Sequence, residues 1–249
     1  MLTLCAVRLD PLRRGGESLN INRCYALGGL ISPVLANLFM HYAFDKWMEI
    51  NYGNNPWIRY ADDGLVHCKS ELEARNILES IKTRMAECGL ELHPDKTKIV
   101  YCKSDRNNQN YENESFDFLG YTFRKRFVRS RDGHFFNGFT PAVSKEAGKS
   151  FRSKIKELRM ANRGKSMYEL AEIMNPIIRG WANYFTRFCS SEAKKSLDYV
   201  NHSLIRMVLR RYRAMKGSKP KAWRFLARLA KDEPQLFHHW KMGLCPTIG

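Results

Sequence analysis

The 249-residue chain has no run of about 18 apolar residues, and its first residues lack the layout of a secretory signal. A soluble, cytoplasmic protein without a membrane partner is therefore expected. Its seven cysteines (Cys5, Cys24, Cys68, Cys88, Cys102, Cys189, Cys245) form no Cys-x-x-Cys pair. This argues against a zinc ribbon and a disulfide framework, and fits reduced thiols in a cytosol. No internal repeat is present. Acidic residues are few: 25 Asp+Glu against 42 Lys+Arg leave a net charge of +17. Such an excess points to a polyanionic partner, with nucleic acid first and an anionic membrane surface second.

The charge is unevenly placed. Between Leu204 and Lys231 the chain carries ten Lys/Arg and no acid. Arg206, Arg210 and Arg213 are spaced i, i+4, i+7, and Arg224, Arg228 and Lys231 repeat that spacing, so each trio is expected to stripe one helix face. A solvated charged face normally mixes signs, so a phosphate-tracking, RNA-binding surface accounts for these trios better. Tyr212, Trp223 and Phe225 offer faces for base stacking, but core packing is the expectation for Trp223. The basic hairpin residues Arg124, Lys125, Arg126, Arg129 and Arg131 read in the same direction as the trios.

In chain order, Met1 to Val7 suits a short strand, and residues 1–22 otherwise say little. Ser32 and Pro33 read as N-cap and first helical residue of a helix reaching about Glu49, with Leu35, Leu38, Phe39 and Tyr42 as its apolar stripe. Ser70-Glu71-Leu72-Glu73 is a capping-box pattern before a second helix closed at Gly89. Strands are expected at Leu90–Leu92 and Ile99–Cys102, and a single buried strand at Phe116–Phe123. The polar stretch 103–114 reads as a loop, and a hairpin turns at Asp132-Gly133. Beyond Pro141 the pattern is helical: 144–163, then a short helix from the capping box at Ser166 to before Pro176. A face of Ile177, Ile178, Trp181, Tyr184, Phe185 and Phe188 follows. Ser191 to Lys216 reads as one long helix, and another runs from Pro220 to Lys231. Trp181, Tyr184 and Phe185 suit a bundle core better than a ligand cage. His238, His239 and Cys245 do not make a metal set, because adjacent imidazoles on one helix diverge.

Trp57–Cys68 is two apolar runs meeting at Asp62-Asp63-Gly64, which suits a hairpin turning there and carrying two adjacent carboxylates at its tip. Hard divalent cations favour such oxygen donors, and two metals can clamp the oxygens of a phosphoryl transfer. Alone, Asp-Asp-Gly is as readily a plain turn.

The flanking blocks decide between these readings. Gly28-Gly29-Leu30-Ile31-Ser32-Pro33-Val34-Leu35-Ala36-Asn37-Leu38-Phe39, followed by Tyr60-Ala61-Asp62-Asp63, resembles the palm of group II intron reverse transcriptases. Leu92–Lys98 and Phe118–Phe123 resemble the next two palm blocks, in order. The helical remainder, with Asn175–Trp181 and Leu236–Trp240, is similar to the maturase (thumb) domain of those proteins. The resemblance covers about residues 23–243. It implies an α+β fold: a partial polymerase palm (23–141, antiparallel sheet with helices on one face) and an all-α maturase bundle (142–249), after an unmatched segment (1–22).

It also implies roles, position by position. Asp62 and Asp63 would be catalytic and metal-binding, two of three carboxylates holding a pair of Mg²⁺ ions. Gly28 and Gly29 would let the backbone approach template and nucleotide, Tyr60 would lie by the primer end, and Lys96 would meet phosphates. The implied partners are group II intron RNA, an RNA template with a DNA primer, and deoxynucleotides. The family's third carboxylate and finger blocks lie upstream of the Gly-Gly block and have no match. Asp10 stands too close to Gly28 to replace that carboxylate, and Cys24-Tyr25-Ala26-Leu27 replace the usual Gly-Thr-Pro-Gln. The metal site is thus expected to be incomplete, the chain a truncated and weak polymerase, and a non-catalytic splicing maturase module the alternative. Whether a partner chain supplies the fingers stays open.

Overall fold

The computed structural model describes residues 2–11, 31–102, 111–129 and 132–246. These residues fall into two units, Met1–Phe116 with Arg124–Phe139, and Asp117–Phe123 with Thr140–Gly249.

In the first unit a five-stranded antiparallel sheet is built around β1 (Leu2–Pro11). On one side β1 pairs with β3 (Asp63–Cys68), with Val7 opposite Gly64 and Arg8 opposite Asp63. On the other it pairs with both β4 (Leu90–Leu92) and β5 (Lys98–Cys102). β2 (Trp57–Tyr60) completes the sheet beyond β3. The strand expected at Met1–Val7 therefore runs longer and is the sheet's central member.

The first helical segment is α1 (Ser32–Met40), a π-helical segment (His41–Asp45) and α2 (Lys46–Tyr52). Two expectations fail here. Ile31, not Ser32, occupies the N-cap, and no side chain caps the helix. The stripe of Leu35, Leu38, Phe39 and Tyr42 is exposed, whereas Met40, Ala43, Phe44 and Met48 are buried. The segment is apolar on more than one face, so periodicity alone could not say which face meets the sheet. α3 (Glu71–Glu87) starts as its capping pattern requires, the Glu73 amide donating to Ser70 Oγ at 3.2 Å. It ends at Gly89, with φ +73°. Its face Ala74, Ile77, Ile81 and Met85 closes one core with Met48, Val66 and Leu90.

The segment expected as one buried strand is instead two, β6 (Ser115–Phe118) and β7 (Tyr121–Arg129), in a sheet completed by β8 (Phe135–Val143). Leu119 (φ +51°) and Gly120 (φ +79°) reverse the chain between them. Two successive left-handed residues are what a tight two-residue hairpin needs. In the second unit Tyr121 packs against Tyr184, Phe185 and Phe188. The Ser144 amide donates to the Gly120 carbonyl at 2.9 Å, so this turn is built into the helical unit.

That unit comprises α4 (Lys145–Ala161), α5 (Met167–Phe185), α6 (Ser190–Arg211), α7 (Lys219–Asp232) and the short α8 (His238–Lys241). α5 starts at the expected capping box but does not stop at Pro176. Its apolar face of Leu170, Met174, Ile178, Ala182 and Phe185 is continuous through the proline, and burial outweighs one lost amide donor. α6 stops at Arg211, earlier than expected, and a 3₁₀ turn (Arg213–Met215) follows.

Two asparagines fasten α8. Asn175 donates to the Leu236 carbonyl and accepts from the His238 amide, both at 2.8 Å. Asn201, fully buried, donates to the Leu244 carbonyl, so its Oδ1 is the acceptor for Trp240 Nε1 at 2.8 Å. His239 Nε2, also 2.8 Å from that oxygen, must then carry the proton and donate. Burial pushes the His239 imidazole down to about 3, helped by the neighbouring His238. His239 Nδ1 is buried without a partner.

Candidate active site and nucleic-acid interface

β2 and β3 pair with Arg59 opposite Gly64 and Tyr60 opposite Asp63. Only Ala61 and Asp62 lie between, so the hairpin turns one residue earlier than Asp-Asp-Gly suggests. Ala61 takes φ +52°, the left-handed conformation this turn demands. Asp63 is consequently the first residue of β3, half-buried, while Asp62 stands exposed in the turn. Tyr60 is also exposed. The turn thus places two consecutive carboxylate residues at one end of the hairpin.

Arg59 holds that turn. Its Nε and Nη2 donate to the two carboxylate oxygens of Asp45, at 2.6 and 2.7 Å. Nη1 donates to the Ala61 carbonyl at 2.8 Å and to Asn37 Oδ1 at 3.2 Å. Three points of the helical segment and hairpin are fixed by one planar group, with the Arg59 side chain 10% exposed and Asp45 19%. Sequence reasoning missed this network. Its one signal was an arginine amid the apolar residues of β2, inside the most motif-rich stretch.

The other sequence-derived residues are less gathered. Gly28 and Gly29 lie outside the described residues. Lys96 is exposed in the turn joining β4 to β5, which is closed by the Thr97 amide donating to the His93 carbonyl at 2.9 Å. Asp10 lies on β1 opposite Glu91 of β4, past the stretch paired with β3. Two surface concavities of about 300 and 350 Å³ occur in this unit, and neither is lined by Asp62 or Asp63. For a divalent ion, Asp62 and Asp63 are donors of the right kind but too few. Among the described residues no three His, Cys, Asp or Glu gather as a metal set.

In the second unit Arg206 and Arg210 are exposed on α6, and Arg224, Arg228 and Lys231 on α7. Arg213 is exposed too, but it lies in the 3₁₀ turn beyond α6 and does not continue that helix's stripe. The opposite faces are apolar core: Leu204, Met207 and Val208 on α6, Ala222, Leu226 and Ala230 on α7. Trp223 packs edge-on against His202, and Tyr212 against Phe225, all three aromatics lying against that core. Trp181 stacks on Phe151 at 4.4 Å. Tyr184 remains exposed, its hydroxyl donating to the Leu119 carbonyl at 3.0 Å.

Two family models match the chain in succession. Residues 7–123 match "Reverse transcriptase (RNA-dependent DNA polymerase)", and residues 148–226 match "Group II intron, maturase-specific domain". The chain belongs to the group II intron reverse transcriptase/maturase family. The reverse-transcriptase match contains Tyr60, Asp62, Asp63, Arg59 and Lys96, and it begins at residue 7, within β1. The maturase-specific match contains Arg159 to Arg224 of the helical unit. No curated protein matches the chain. A solved structure of telomerase from Candida albicans, in complex with a TWJ fragment of telomeric RNA, is 14% identical with a TM-score of 0.30. It is covered over 34% of its length by 87% of this chain, which thus spans about a third of it. That structure bears no part of the family assignment. Among the described residues no helix is long and apolar enough to cross a membrane.

Proposed function

We propose that this reverse transcriptase/maturase chain acts by gripping intron RNA through its helical unit, and that polymerisation by it alone is weak. One observation carries the reading. On α6, the 3₁₀ turn and α7, the cations Arg206, Arg210, Arg213, Arg224, Arg228 and Lys231 are all exposed, and no acid interrupts the sequence between Leu204 and Lys231. Exposed like charges repel unless a polyanion covers them. The apolar faces of α6 and α7 hold the cations outward.

The palm supports the polymerase half of the reading more thinly. A bound Mg²⁺ pair would activate a primer oxygen and neutralise the leaving pyrophosphate. Asp62 and Asp63 are the residues of this chain that would hold it. Arg59 would keep the turn, and so both acids, in place. Tyr60, Lys96, Gly28 and Gly29 would meet primer, phosphates and template. Two acids do not complete a two-metal site, and RNA-templated primer extension should therefore be weak.

A salt titration of RNA affinity tests the proposal. Affinity should fall steeply with salt, by a slope near −0.9 for each duplex phosphate contact. Arg210→Ala with Arg228→Ala should make that slope shallower by about two and weaken all RNA sequences alike. An unchanged slope would return the cations to a solvated face. Robust primer extension by the purified chain would overturn the weak-polymerase part.

A further inference from the structure

Arg159 lies in the last turn of α4, and it does not behave as its exposed neighbours do. It is only 4% exposed, and its Nε is buried without a hydrogen-bond partner. α4 packs against α6. The groups whose charge reaches Arg159 are Arg210 and Arg206 on α6, Tyr199 on the same helix, and Arg163 just past the end of α4, with no carboxylate among them. Arg206 in turn donates to the Tyr199 hydroxyl at 3.3 Å and lies over its ring, 5.6 Å from the centroid. Arg159 and Arg163, at and just past the end of α4, thus come near Arg206 and Arg210, one turn apart on α6, where the two helices pack.

Buried charge normally comes with a partner, because desolvating it otherwise costs several kcal/mol. Here burial first, then Arg210 and Arg206, push the Arg159 guanidinium down from its usual range, and a guanidinium still does not give up its proton. Nε is thus left with an open donor position, which an anion arriving from outside would fill. A guanidinium fork suits a tetrahedral oxyanion better than a point charge, since it offers two parallel donors.

We propose that Arg159, Arg206, Arg210 and Arg163 form a single oxyanion site between α4 and α6, which seats one backbone phosphate of the bound RNA. The site rests on the RNA reading for its biological occupant, and Arg159 is its buried anchor. It differs from the exposed stripes in being a fixed point. The stripes can slide along phosphates, whereas a guanidinium anchored by its buried Nε would fix one phosphate in register.

Inorganic sulfate is the first probe, applied to the full chain and compared with sodium chloride at equal ionic strength. Sulfate stabilises most proteins gradually through exclusion from their surface. A bound ion adds a saturable rise in melting temperature on top of that. Wild type should show both components, and Arg159→Met only the gradual one. In low-anion buffer Arg159→Met should melt no lower than wild type, because it removes an uncompensated buried charge. Its RNA affinity should fall about tenfold, the cost of one charge-assisted contact. Its salt slope should become shallower by about one. Should Arg159→Met not fold, Arg206→Gln, an exposed substitution, must still blunt the saturable component.

An identical sulfate response in wild type and variants would overturn the site, as would a large loss of stability in Arg159→Met with no change in RNA affinity. If sulfate protects through Arg159 but RNA does not bind, the site stands as a free-oxyanion site and the RNA reading falls. If RNA binds with the expected salt slope while sulfate discriminates nothing, only the site falls.

Discussion

Acid should unlatch the C-terminal helix, and His239 sets the pH at which it does. The imidazole is fully buried and donates to Asn201, with its pKa pushed down to about 3 in the fold. In the unfolded chain it titrates near 6.5. Between those values the unfolded chain binds the proton and the folded chain does not, so stability is intact above about pH 6.5 and drains as pH falls. Linkage gives a loss of about 2 kcal/mol at pH 5, levelling near 5 kcal/mol below pH 3. For a chain of this size 2 kcal/mol lowers the melting temperature by about 4–8 °C. The physical cause is concrete. A proton on Nδ1 would charge a buried ring that has no acceptor there. The assay is urea unfolding from pH 7.5 to 4.5 for wild type and His239→Gln. Glutamine keeps an amide donor for Asn201 but does not titrate. The difference between the two profiles should open below pH 6.5. Parallel profiles would refute the reasoning, because the pH dependence would then belong to other groups.

Three further outcomes follow from the same geometry. Asp45→Asn or Arg59→Met should destabilise the first unit by about 1–2 kcal/mol, between the cost of breaking an exposed and a fully buried pair, since both side chains are partly exposed. A change under about 0.5 kcal/mol in urea midpoint would show that the turn needs no such anchor. Gly120→Ala should cost about 1–2 kcal/mol, since a residue at φ +79° is strained and its Cβ would stand 3.1 Å from the Phe185 ring. Melting at the wild-type temperature would refute that. Asp62→Asn and Asp63→Asn should abolish whatever primer extension is measurable and leave RNA affinity within about twofold, because phosphate contacts carry binding; a large affinity loss would place RNA on the hairpin itself.

How much of this was legible depends on which interaction set each feature. Capping boxes are local, and Ser70/Glu73 and Ser166/Glu169 open their helices as read. The two-block family pattern was equally plain, because Tyr60–Asp63 and Asn175–Trp181 are contiguous strings. What failed was non-local. Pro176 reads as a stop until the continuous burial of α5 is seen, and Leu35 and Leu38 read as core until Met40, Phe44 and Met48 take that place. Arg213 reads as a third stripe member until Tyr212 turns extended and ends α6. At the candidate site the acids themselves were visible, but the Arg59–Asp45–Asn37 anchor was not. Its members are 14 and 22 residues apart, and no short pattern joins them. Arg159 was invisible for the same reason: one arginine among many, distinguished only by having its helix packed on another.

Asn175 and Asn201 also set a schedule. Each lies within the helical unit, yet the partners that tie it to α8 and its flanks are supplied by residues 236–244, 61 and 63 residues later for Asn175 and between 38 and 43 later for Asn201. During synthesis, at about 5–20 residues per second, α5 and α6 emerge before those later partners exist. Their apolar core can form, but this latch closes only when Leu236–Leu244 arrive. A helix of four residues thus acts as a late fastener for the bundle whose outer face carries the cations of α6 and α7.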